Sequence, residues 1–89
     1  IGFVKNASIK ELNEFNTEYG VKISKFDKNY KTYWNKNGVE VGSILTKING
    51  KKLYSVDDAQ NALKTRDFNE PLQIEVINID GEKVVYNFR

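Results

Sequence analysis

The strongest constraint on this chain is the dipeptide Asn49-Gly50, set between the run Ser43-Ile44-Leu45-Thr46-Lys47-Ile48 and the return Lys51-Lys52-Leu53. Both central residues of a type I′ turn need positive φ, and Asn followed by Gly meets that need most readily, so two antiparallel strands meet here. The apolar supply agrees. Val and Ile contribute eight residues each, against five Leu and three Ala, and β-branched side chains favour strands over helices. The 89 residues amount to one domain, residues 1–89, which must bury a large share of its apolar side chains to fold. The chain has no Cys and no His, so neither a disulfide nor a thiolate or imidazole zinc site is there to staple it.

The same two absences close most routes to catalysis. Without His the commonest general base is missing, and neither a Ser-His-Asp nor a Cys-His constellation can be assembled from these residues. Asp57 and Asp58 are adjacent at a helix start and point to different sides, so they do not form an acid/base couple. The expectation is a non-enzyme with no cofactor and no metal. No apolar run approaches the length of a membrane span. The chain starts at Ile1 with no charged segment leading into an apolar one, and reads as a piece of a longer protein.

Net charge is only +2, but it is unevenly spread. Residues 22–52 hold eight Lys against Asp27 and Glu40, and residues 57–82 hold seven acids against Lys64 and Arg66. Two surfaces of opposite sign follow. Nucleic acid is not the expected partner. Tyr30, Tyr33 and Trp34 sit among lysines, but that stretch has no Arg and no DNA or RNA motif.

Read in order, Gly2 to Asn6 forms a short strand. Ser8 and Glu11 have capping-box spacing and open a helix over 8–16, with Ile9, Leu12 and Phe15 on one face. A strand follows from Val21 towards Phe26, then one or two helical turns between Asn29 and Asn37, ended by Gly38. Tyr30, Tyr33 and Trp34 fall at i, i+3 and i+4, which suits packing on the core. After the Asn49-Gly50 hairpin, Ser55 caps the main helix, about 55–66, with Asp57 and Asp58 in its first turn. Pro71 separates it from a last hairpin, Leu72 to Ile77 and Lys83 to Phe88 around Asp80-Gly81. The fold class is α+β: a small, mostly antiparallel sheet or partly open barrel capped by one main helix and one or two short ones.

This order, with the run Gly38-Val39-Glu40-Val41-Gly42-Ser43-Ile44-Leu45-Thr46-Lys47-Ile48-Asn49-Gly50-Lys51 and the Ser55-capped helix after it, resembles a PDZ domain of the bacterial, circularly permuted type. It is most similar to the C-terminal PDZ domain of HtrA/Deg-type periplasmic serine proteases. The resemblance spans nearly the whole chain. It implies a non-catalytic peptide-binding module in a bacterial periplasm or cell envelope, serving protein quality control beside an attached protease whose catalytic residues lie outside these 89.

The resemblance also implies a site. Ile1-Gly2-Phe3 supplies the apolar-Gly-apolar turn whose backbone N–H groups face a terminal carboxylate, where Gly permits close approach to an anion. The strand at 3–6, with Val4 and Lys5, takes the peptide by β-augmentation. Ile1, Phe3 and Leu63 line the pocket for the last side chain, and Val56 and Gln60 contact residues further up the peptide. Ligands are then peptide C-termini or unfolded protein segments. The acidic 57–82 region favours basic residues upstream in them. Val56, Ala59, Ala62 and Leu63 share core spacing, with Ala59 and Ala62 the better core candidates. Lys5 departs from the family's usual apolar residue. The aromatic 27–37 segment is bulkier than usual, which keeps a second reading open: an assembly module that docks to a protease domain or neighbouring subunits through Tyr30, Tyr33 and Trp34.

Overall fold

The computed structural model describes residues 2–67 and 69–88. The chain runs β1 (Gly2–Asn6), α1 (Ile9–Glu14), β2 (Val21–Phe26), α2 (Lys31–Lys36), β3 (Ile44–Ile48), β4 (Lys51–Lys52), α3 (Val56–Thr65), β5 (Leu72–Ile77) and β6 (Lys83–Phe88). The strands form one open antiparallel sheet in the order β1-β2-β3-β5-β6, and β4 pairs β3 off that path. β2 and β4 share one edge of β3, β2 at Ile44 and Leu45, β4 at Lys47 and Ile48.

The turn that dominates the sequence forms as its chemistry requires, with Asn49 at φ 49° and Gly50 at φ 79°. Asn49 does more than turn the chain. Its N–H donates to the Gln73 carbonyl at 2.7 Å and its Oδ1 accepts from the Gln73 N–H at 2.6 Å, which ties the hairpin tip to β5. At the other hairpin Asn78, rather than Asp80, organises the loop: its Oδ1 accepts from the N–H groups of Asp80 and Glu82.

Two bulges shape the core. Between β1 and β2 the extra residue is Ser24, and between β3 and β5 it is Thr46. A bulge shifts the inward alternation by one residue. Ile23 and Phe26, three apart, therefore both enter the core, as do Leu45 and Ile48. Each bulged hydroxyl bonds the partner strand, Ser24 Oγ donating to the Phe3 carbonyl at 3.1 Å and Thr46 Oγ1 to Glu75 Oε2 at 2.7 Å. Val21, Trp34, Val39, Leu53, Ile74 and Val76 belong to the same cluster, and α3 adds Ala59 and Ala62.

The short helices differ from their spacing. In α1 the capping box forms, Ser8 Oγ accepting from Glu11 N–H and Glu11 Oε1 from Ser8 N–H, both at 3.1 Å. Leu12 and Phe15 are half-buried, but Ile9 is 80% exposed. Six residues rise only ~9 Å, and this helix leaves its first turn off the sheet. In α2 only Trp34 is buried, while Tyr30 and Tyr33 are 57% and 49% exposed. Tyr30 is the N-cap and lies before the helical spacing begins. Trp34 stacks on Phe26 at 6.2 Å and meets the edges of Tyr33 and Tyr86, whose hydroxyl donates to the Asn37 carbonyl.

Candidate functional site

A cleft of about 210 Å³ opens between β1 and α3, lined by Phe3, Val4, Leu45, Ile48, Val56, Ala59, Gln60 and Leu63. Among the described residues its lining holds no ionisable side chain, and Gln60 is the one polar member. The cleft can take an apolar side chain and bury it, a gain of about 1.5–3 kcal/mol for a Val- or Leu-sized group.

Each wall follows from local structure. Ser55 caps α3, its Oγ accepting from Asp58 N–H, and the Asp58 carboxylate accepts from Tyr54 N–H at 2.8 Å. That fixes the helix start, and the 3.6 period then buries Ala59 and Ala62 while Val56, Gln60 and Leu63 border the cleft. Small Ala59 lets the helix lie close to the strands, and Leu45 and Ile48 form the floor. β1 is the first strand of the sheet order and pairs only with β2 among the described residues, so its second edge is open beside the cleft.

Within β1, Val4 pairs with buried Ile23 and packs on the core, and Asn6 Oδ1 accepts from Val56 N–H at 2.9 Å. Val4 and Asn6 thus stand on the α3 side, and Phe3 and Lys5, by alternation, on the other. Phe3 is 62% exposed and still borders the cleft mouth, whereas Lys5 is not part of the lining. Ile1 lies outside the described residues. Gly2 pairs with Phe26 inside β1.

Sequence reasoning had no reason to include Leu45 and Ile48, because residues three apart in a regular strand face opposite ways. The Thr46 bulge brings them together, and nothing in the run 43–48 marks it. Asn6 also went unnoticed. An Asn closing a short strand reads as punctuation, and its bond to α3 spans fifty residues. Of the aromatic set, Tyr30 and Tyr33 are open to solvent and Trp34 belongs to the core.

No family model matches the chain, and no curated protein does. Among solved structures it is similar to the HtrA3 PDZ domain, in a crystal structure with a phage-derived ligand, FGRWV: TM-score 0.72, 21% identity, 99% of this chain and 80% of that one covered. An open antiparallel sheet with its first strand facing α3 across a cleft, superposable over almost its whole length on that domain, gives this chain the PDZ fold.

Proposed function

We propose that this domain binds an extended peptide segment, adding it to the open edge of β1 with its last, apolar side chain in the cleft. The observation that carries the reading is a strand edge unpaired among the described residues with an apolar cleft directly beside it. Main-chain hydrogen bonds to the strand give affinity and the cleft gives selection. The peptide ligand of the HtrA3 PDZ domain supports the same class of partner. Gly2, Phe3, Val4 and Lys5 form the strand side of the proposed site, and Val56, Gln60 and Leu63 the helix side. Affinity for four to six residues is set at about micromolar or weaker, roughly 8 kcal/mol or less. The proposal extends to an accessory role, in which the domain recognises unfolded or C-terminal segments for an attached serine protease of a bacterial cell envelope.

The test is a titration followed by backbone amide shifts, with a short peptide ending in an apolar residue as the free acid and with its amidated twin. Shifts at Gly2, Phe3 and Leu63 with the free acid alone support capture of a C-terminus, and shifts with both support strand addition without it. No shift with either peptide overturns the reading.

A second reading, docking to an attached domain or subunit, draws on the exposure of Tyr30 and Tyr33. Trp34 cannot serve it directly, being 6% exposed. Self-association lost in a Tyr30→Ser, Tyr33→Ser double variant supports docking.

A further inference from the structure

Lys5 on β1 and Lys22 on β2 are direct cross-strand partners. Like charges placed opposite one another destabilise a strand pair. One of the two is neutralised, since Glu11 Oε2 lies 2.6 Å from Lys22 Nζ. Among the described residues no acid pairs with Lys5, whose side chain is exposed on the open-edged strand. Two pairs further along, Lys25 sits opposite Phe3 with its ammonium 5.7 Å from the ring centroid. The face of β1 and β2 turned away from α3 therefore carries uncompensated positive charge at the edge a ligand strand would join.

A strand added beside β1 alternates as β1 does, and residues directly opposite in an antiparallel pair share a face. If the ligand's last side chain enters the cleft, the residue two before it also points towards α3. The residues one and three before it point to the lysine face. Asp57 and Asp58, in the first turn of α3, are not among the described residues lining the cleft, so the set facing α3 meets an uncharged wall.

We propose that the segment bound at β1 carries acidic side chains on the alternate residues that face away from α3, and that Lys5 selects them, with Lys25 in support. The inference rests on the peptide-binding reading and adds the ligand's charge pattern to it. Exposed pairs of this kind contribute little each, which sets the expected preference at roughly twofold to fivefold in affinity.

The probes are two isomeric hexapeptides with free C-termini, Ser-Ser-Glu-Ser-Glu-Val and Ser-Glu-Ser-Glu-Ser-Val, with a serine-only reference ending in Val. Composition and net charge are equal in the first two, and a shift of the acids by one residue changes the face they present. The first is expected to bind more tightly. The preference is expected to vanish in Lys5→Gln, to reverse in Lys5→Glu, and to shrink at about 0.5 M salt. Equal affinities for the isomers, with the reference binding, overturn the charge pattern and leave the groove standing. A preference that survives in Lys5→Gln overturns the role of Lys5. No binding by any of the three peptides removes the peptide-binding reading and this inference with it.

Discussion

Asn6 and Val56 are fifty residues apart in the chain, and a hydrogen bond of 2.9 Å from the Val56 N–H to Asn6 Oδ1 joins them. Val56 is the first residue of α3, so its N–H has no partner inside the helix. The last residue of β1 supplies one, and the two walls of the cleft are tied at one end. Asn6→Ala is expected to cost about 1 kcal/mol in urea unfolding and to weaken peptide binding. Asn6→Asp keeps the acceptor and sets a negative charge at a helix N-terminus, so it should retain both. Equal stability of Asn6→Ala and the parent would show that the bond does not anchor the helix.

Gly20 precedes β2 at φ 143°, and a Cβ there would lie 2.3 Å from Ile44 Cγ2. Gly81, at φ 87°, has nothing within 4 Å of the same position. Both substitutions to Ala strain the backbone, but only the first must also displace a fully buried side chain. Gly20→Ala is expected to cost about 2–3 kcal/mol and Gly81→Ala about 1. Thermal or denaturant unfolding of the two single variants gives the order, and a larger loss at Gly81 would contradict it.

The bond to Lys22, first, and then the backbone bond from Ser8 hold the Glu11 carboxyl at about 2, against an ordinary 4.5. A carboxyl whose folded value is depressed contributes fully above its unfolded value and loses that contribution as the pH falls through the folded one. The urea midpoint should therefore decline between about pH 4.5 and 2, and Glu11→Gln should flatten the decline. An unchanged slope in Glu11→Gln would assign the acid sensitivity elsewhere.

Trp34 is the single tryptophan of the chain and is buried against Phe26. Trp34→Ala is expected to cost about 3–5 kcal/mol, and Tyr30→Ser no more than about 0.5. Tryptophan emission should shift to the red on unfolding and stay unchanged on peptide titration, since Trp34 is not among the residues lining the cleft. A red-shifted emission in the folded state would place this ring in water.

Local chemistry made much of this fold readable. Asn49-Gly50 needed positive φ and has it; Ser8 with Glu11 and Ser55 with Asp58 cap as their spacing requires; Ala59 and Ala62 are buried because they are small. Features set by a partner strand could not be read. Ser24 and Thr46 look like ordinary strand residues, and only pairing with β1 and β5 makes them bulges. Short helices misled for a related reason: α1 and α2 have six residues each, so Ile9 stays off the sheet, Tyr30 falls at the N-cap, and of α2 only Trp34 reaches the core. Val56, Gln60 and Leu63 do border the cleft, whereas its floor at Leu45 and Ile48 depends on the Thr46 bulge.

An unpaired strand edge is an invitation to any chain with backbone groups to offer, including another copy of the same protein. The like-charged pair at Lys5 and Lys22 bears on that hazard as well as on ligand choice. Two copies meeting through β1 would bring lysine-bearing edges together, and Glu11 is already committed to Lys22. Repulsion between two such edges would oppose that pairing, and a strand of opposite sign would not meet it.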